Sequence, residues 1–66
     1  MSELREIRKT RGLTLEAVGY LAGVDAATIS RLENGQVRPK PETVVSIARA
    51  LGVSVSRIAP KQEAVR

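Results

Sequence analysis

The side chains of this 66-residue chain that could do chemistry are mostly cations. Eleven lysines and arginines stand against seven carboxylates, for a net charge of +4. That balance attracts a polyanion. Arg38 and Lys40 flank Pro39 in one short stretch, and Arg31 shares a small, polar face with Ala26, Ala27 and Ser30. Such a face on a short helix is ordinary solvated surface unless its surroundings give it a task. Arg31 is the member able to form two parallel hydrogen bonds with a guanine edge. Catalysis has little to work with. The chain contains no histidine and no cysteine, so the commonest general base, thiolate zinc sites and disulfides are all missing. Glu3 and Glu6 are near one another on a helix, but no other group converges with them. No enzyme, metal, cofactor or small-molecule ligand is expected. Tyr20 is the only aromatic residue, which argues against a stacking platform for single strands and favours duplex nucleic acid.

The elements that must position these residues centre on residues 14–34, TLEAVGYLAGVDAATISRLEN. Thr14 predicts an N-cap for a helix over 15–22, and Asp25 predicts another for a helix over 26–33. Leu13 with Val18, and Val24 with Ile29, have the spacing of hydrophobic staples. Gly23 suits a left-handed residue between the two helices. Gly19 inside a helix costs roughly 1 kcal/mol against alanine, a cost explained if a second helix crosses close above it. These features predict a helix-turn-helix. Val18 and Leu21 are expected in the core beside Ala17 and Gly19, with Ile29 and Leu32 buried from the second helix.

Around this pair the pattern predicts three more helices. Ser2 would cap the first, whose inner face carries Leu4, Ile7 and the stems of Arg8 and Arg11, and Gly12 would end it. Asn34 and Gly35 stop the third helix, and residues 36–40 form a loop. Pro41 opens a fourth, with Val44, Ile47, Ala48 and Leu51 on one stripe. Ser54 caps a short fifth, stapled by Val53 and Ile58 and closed by Pro60. Residues 60–66 lack a pattern and are expected to fray. The expectation is one all-α domain over 1–59, a compact five-helix bundle. No apolar run approaches the ~20 residues of a membrane span, and no signal-peptide core is visible, so a cytoplasmic location is the default.

The pattern LTxxxVGxxAGVxxxTISRLENG over 13–35 resembles the helix-turn-helix of lambda-repressor and Cro-like DNA-binding domains, the XRE-type regulators. The resemblance extends from LREIR at 4–8 through ETVVSIARALGVSVSRI at 42–58. It implies a sequence-specific transcriptional regulator, a repressor or controller protein, that binds a double-stranded DNA operator as a homodimer. The family's base-facing positions fall on Ala26, Ala27, Ser30 and Arg31. Its phosphate-facing positions fall on Thr14, Thr28 and Asn34, with Arg38 and Lys40 in the following loop and Arg11 as a further candidate. The resemblance also implies an ion pair between Arg8 and Glu33. Together with the apolar Val55 and Val45, it implies a dimer contact around Val55, Arg57 and Ile58.

Two positions depart from the family pattern. Leu15 stands where glutamine usually reaches a phosphate, and Asp25 stands where serine or threonine is common. Leu15 is expected to face the DNA backbone, and the Asp25 carboxylate is expected to turn towards its cap. The reduced reading face leaves a rival, an antitoxin-type protein-interaction module whose main task is to mask a partner protein.

Overall fold

The computed structural model describes residues 1–59. They form α1 (Ser2–Thr10), α2 (Leu15–Ala22), α3 (Ala26–Glu33), α4 (Pro41–Leu51) and α5 (Val55–Ile58). There is no strand among the described residues. The Pro60 stop and the 61–66 tail expected from the sequence lie outside them.

Local chemistry sets the helix ends. The Thr14 hydroxyl accepts from the Ala17 N–H at 3.0 Å, and Asp25 Oδ1 accepts from the Thr28 N–H at 3.2 Å. Each contact satisfies one of the unpaired donors of a first turn. Gly23 ends α2 in the left-handed region at φ 78°, a conformation that a Cβ would penalise. Pro41 begins α4, where its missing N–H costs nothing. Two caps differ from expectation. Met1, not Ser2, occupies the N-cap position of α1, because its carbonyl accepts from Leu4 N–H and its side chain packs on the core. Ser54 stands at the N-cap of α5, but its hydroxyl lies 3.2 Å from that of Ser56 and makes no capping bond.

The core joins all five helices: Leu4 and Ile7 from α1, Val18 from α2, Ile29 and Leu32 from α3, Val44, Ile47, Ala48 and Leu51 from α4, and Ile58 from α5. α2 packs on α3 and α4, α1 packs on α3 and α5, and α4 carries α5. Leu21, expected inside, is 54% exposed. Helix geometry explains the difference. At about 100° per residue, Leu15 and Ala22 fall within roughly 10° of the midline between Val18 and Gly19, whereas Leu21 falls about 110° away. Leu15 and Ala22 accordingly pack against the core. Leu15 is therefore half-buried, not turned out towards a DNA backbone as expected. Tyr20 lies further round still and is 87% exposed.

Gly19 is fully enclosed at the crossing of α2 and the turn into α3. A Cβ added there would lie 2.4 Å from the Val24 carbonyl oxygen and 3.3 Å from the Asp25 carbonyl carbon. Both are backbone atoms, so no side chain can swing aside to make room.

Two stability predictions follow from this packing. Gly19→Ala gains helix propensity of roughly 1 kcal/mol but forces the turn away from α2, and the net effect is a loss of about 1–3 kcal/mol. A thermal melt checks this, and a raised melting temperature would contradict the crossing. Leu15→Gln removes half-buried apolar surface and should cost about 1 kcal/mol. An unchanged melt for that variant would place Leu15 outside the core.

Candidate nucleic-acid interface

α3 turns Ile29, Leu32 and Glu33 inward and leaves the opposite side to solvent. Ala27 and Arg31, four residues apart, form an exposed ridge. Ala26 and Ser30 form a second, half-buried ridge beside it. All four sequence-predicted base-facing residues therefore share one surface of one helix. Its side chains supply methyl groups, one hydroxyl and one guanidinium.

The other candidates frame this surface unequally. Thr14 is exposed at the start of α2, and its capping bond leaves the hydroxyl proton free to donate outward. Asn34, at the C-cap of α3, is exposed. Thr28 is half-buried beside the Asp25 cap. Arg38 and Lys40 are exposed in the loop after α3. That loop is tied back to the helix by the Gln36 N–H, which donates to the Arg31 carbonyl at 2.9 Å. Gln36 and Val37 are exposed in the same loop. Neither was marked from the sequence, because no charge or periodicity distinguishes them. Arg11 does not join the group. Its guanidinium donates to the Leu51 carbonyl at the end of α4, and it lines a cleft of about 170 Å³ between α1 and α5 with Glu3, Glu6 and Arg57.

One ion pair braces the unit from behind. Arg8 Nε donates to Glu33 Oε2 at 2.6 Å and Nη2 donates to Glu33 Oε1 at 3.1 Å. Its third nitrogen, Nη1, donates to the Leu13 carbonyl at 2.9 Å. A single side chain from α1 thus grips the residue before α2's cap and the last residue of α3. Glu33 is buried, and the fork geometry gives each of its oxygens a donor. The hydrogen bond to Glu33 holds the Arg8 pKa above its ordinary value. The Met1 amino group adds a bond to the Leu32 carbonyl at 2.9 Å, one residue before Glu33.

Asp25 is the acidic group at the start of this surface. It is exposed, and hydrogen bonding from Thr28 holds its pKa below the usual carboxylate range, with the charge of Arg31 adding to the effect. It is ionised at neutral pH. The expected dimer contacts divide. Val55 and Arg57 are exposed, as is Val45 on α4. Ile58 is 1% exposed and belongs to the core, because a four-residue helix has one inward position and Ile58 fills it. It is not available to a partner.

No group of three metal-ligating side chains lies together among the described residues. No described helix is long and apolar enough to cross a membrane.

Comparison with known proteins places this geometry. A family profile described as a helix-turn-helix domain matches residues 2–60. The HTH-type transcriptional repressor RghR of Bacillus subtilis is 44% identical over 52 residues, covering 77% of this chain and 38% of that protein. The uncharacterized HTH-type transcriptional regulator RghRB of the same organism is 42% identical over 52 residues, covering 77% and 37%. The chain thus spans under two fifths of the length of these two relatives. The uncharacterized HTH-type transcriptional regulator y4dJ of Sinorhizobium fredii is 36% identical over 63 residues, covering 94% of this chain and 82% of its own. Among solved structures, the restriction-modification controller protein C.AhdI of Aeromonas hydrophila superposes with a TM-score of 0.82 at 28% identity, covering 85% of each chain. With a matching profile across nearly its whole length, a relative 36% identical over 94% of the chain and a fold shared with the C.AhdI structure, the chain belongs to the helix-turn-helix domain family of transcriptional regulators.

Proposed function

We propose that this domain regulates transcription by inserting α3 into the major groove of a double-stranded DNA operator. The observation that carries the reading is the exposed ridge of Ala27 and Arg31, with the half-buried Ala26 and Ser30 beside it, on a helix whose other side buries Ile29, Leu32 and Glu33. A helix of this size fits the major groove. In helix-turn-helix proteins the second helix contacts bases through its N-terminal part while the first crosses the backbone. Arg31 binds the O6 and N7 of a guanine. Ala26 and Ala27 contact thymine methyl groups, and Ser30 adds one adaptable hydroxyl. Thr14, Thr28, Asn34, Arg38 and Lys40 bind phosphates, which supply affinity and register but no base identity. The domain is a non-catalytic binding module that acts in the cytoplasm without a cofactor.

The domain pairs on DNA with a second copy through Val55 and Arg57, with Val45 nearby. Two half-sites roughly 34 Å apart, one helical turn, follow from that symmetry. A second reading, a module that masks a partner protein, draws on Tyr20 and Leu21, two adjacent apolar side chains exposed on α2. Selection from random duplexes separates the two. The DNA reading expects strong enrichment of a recurring motif in two half-sites, and the masking reading, in which DNA binding is secondary, expects weak enrichment or none.

Individual residues have distinct signatures. Arg31→Ala should cost ~1–3 kcal/mol on the selected site and relax preference at one position per half-site. Arg38→Ala and Lys40→Ala should weaken all duplexes alike and lower the salt-dependence slope by about one per contact. Titrating each variant against selected and scrambled duplexes at several salt concentrations checks both, and equal weakening on the two duplexes would reduce Arg31 to a phosphate contact. Val55→Glu should leave the melt of the domain unchanged while sedimentation on the operator falls from two copies per duplex to one. Retention of two copies would place the dimer contact elsewhere.

A further inference from the structure

The first turn of α3 has little with which to read a base. Ala26 and Ala27 carry no polar side-chain atom, and Thr28 is half-buried against the cap. The exposed polar side chain at this end is Asp25. Its bonding with Thr28 occupies only part of a carboxylate that offers about four acceptor sites. The cap holds the side chain in one place, against the helix, while leaving acceptor capacity open.

We propose that Asp25 selects a base: its carboxylate accepts a hydrogen bond from the N4 amino group of a cytosine in the major groove. This rests on the reading that α3 enters that groove. The chemistry discriminates sharply. An ionised carboxylate accepts and cannot donate. Guanine shows it two acceptors, and thymine shows one acceptor and a methyl group. Adenine shows a donor with an acceptor beside it. Cytosine alone presents an amino donor without a neighbouring acceptor of its own. Arg31 lies six residues on, about 9 Å along the axis, so its guanine belongs to a different base pair. The two charged side chains of the reading surface then make opposite demands, an acceptor at one base pair and a donor fork at another. The carboxylate also repels phosphates, and that penalty falls on every sequence alike. A capping serine would hold the helix without it, so the acid trades general affinity for discrimination.

The test is selection from random duplexes with the unaltered chain, Asp25→Ser and Asp25→Asn. Serine and asparagine are both good N-caps, and thermal melts verify that each variant folds. The unaltered chain should enrich cytosine at one position per half-site. Asp25→Ser should flatten that position, with discrimination falling at least about fivefold, the lower end of what one good base contact supplies. It should also tighten binding to scrambled duplexes. Asp25→Asn should move the preference to adenine, whose N6 and N7 match an amide. In both variants the guanine position set by Arg31 should persist. If both variants bind all duplexes more tightly but select the same sequence, Asp25 only caps and repels, and the proposal is overturned while the DNA reading stands. If the unaltered chain enriches no sequence, the groove-binding reading itself fails and this proposal falls with it.

Discussion

The absence of a side chain at Gly19 is the constraint on which the rest of this domain depends. The Val24 carbonyl oxygen occupies the space where a Cβ would stand, 2.4 Å away. The backbone of the turn can therefore lie directly on α2. That closeness fixes how α3 leaves the turn, and so which side of α3 meets the core. With Ile29 and Leu32 buried, Ala27 and Arg31 must face out. The outer surface of α3 is a consequence of a packing contact several residues away. A glycine that weakens its own helix is tolerable in so small a domain because no other residue permits this crossing.

The Arg8–Glu33 pair does a different job. Burying a charge is costly, and a buried pair is weak evidence of net stability. Its value here is positional. Arg8 bonds to Glu33 through two nitrogens and to the Leu13 carbonyl through a third. The first residue before the cap of α2 and the last residue of α3 are therefore referred to one rigid fork on α1. The pair cannot be exchanged casually, since a lysine would offer a point charge in place of the planar fork. If α3 enters a groove as proposed, the grip at its far end fixes its orientation there.

The proposed interface is economical. Its central helix carries one donor fork, one hydroxyl and two methyl groups, with the Asp25 carboxylate at its N-cap, framed by hydroxyl, amide and basic side chains. Two cations outside that frame have other contacts. Arg11 holds the end of α4 through the Leu51 carbonyl, and Arg57 sits 3.7 Å from Glu3 between α5 and α1. Arg8 and Arg11 thus fasten helices, while Arg31, Arg38 and Lys40 face solvent on α3 and in the loop after it. Net charge alone cannot make that distinction.

The sequence by itself determined the elements and most of their ends. Caps, staples and left-handed glycines act within a few residues, so Thr14, Asp25, Gly23 and Pro41 could be assigned without knowledge of the fold. The periodic stripe of α4, Val44 to Leu51, was legible for the same reason, and the oddity of Gly19 pointed to the crossing. What the tertiary structure decided was which way ambiguous side chains turn. Leu15 and Leu21 are both apolar and both on α2, and the packing of Val18 and Gly19 into the fold sets the rotation that puts Leu15 inside and Leu21 outside. Ile58 was read both as a staple for α5 and as a dimer contact, and the docking of α5 on α1 and α4 sends it inward. Arg11 was a candidate for a phosphate until the end of α4 arrived beside it. Asp25 was readable as a cap, but its exposed acceptor capacity beside two alanines became visible only when α3 was set in place. Local rules fix a helix; the contacts between helices fix its rotation, and the rotation decides what each residue can touch.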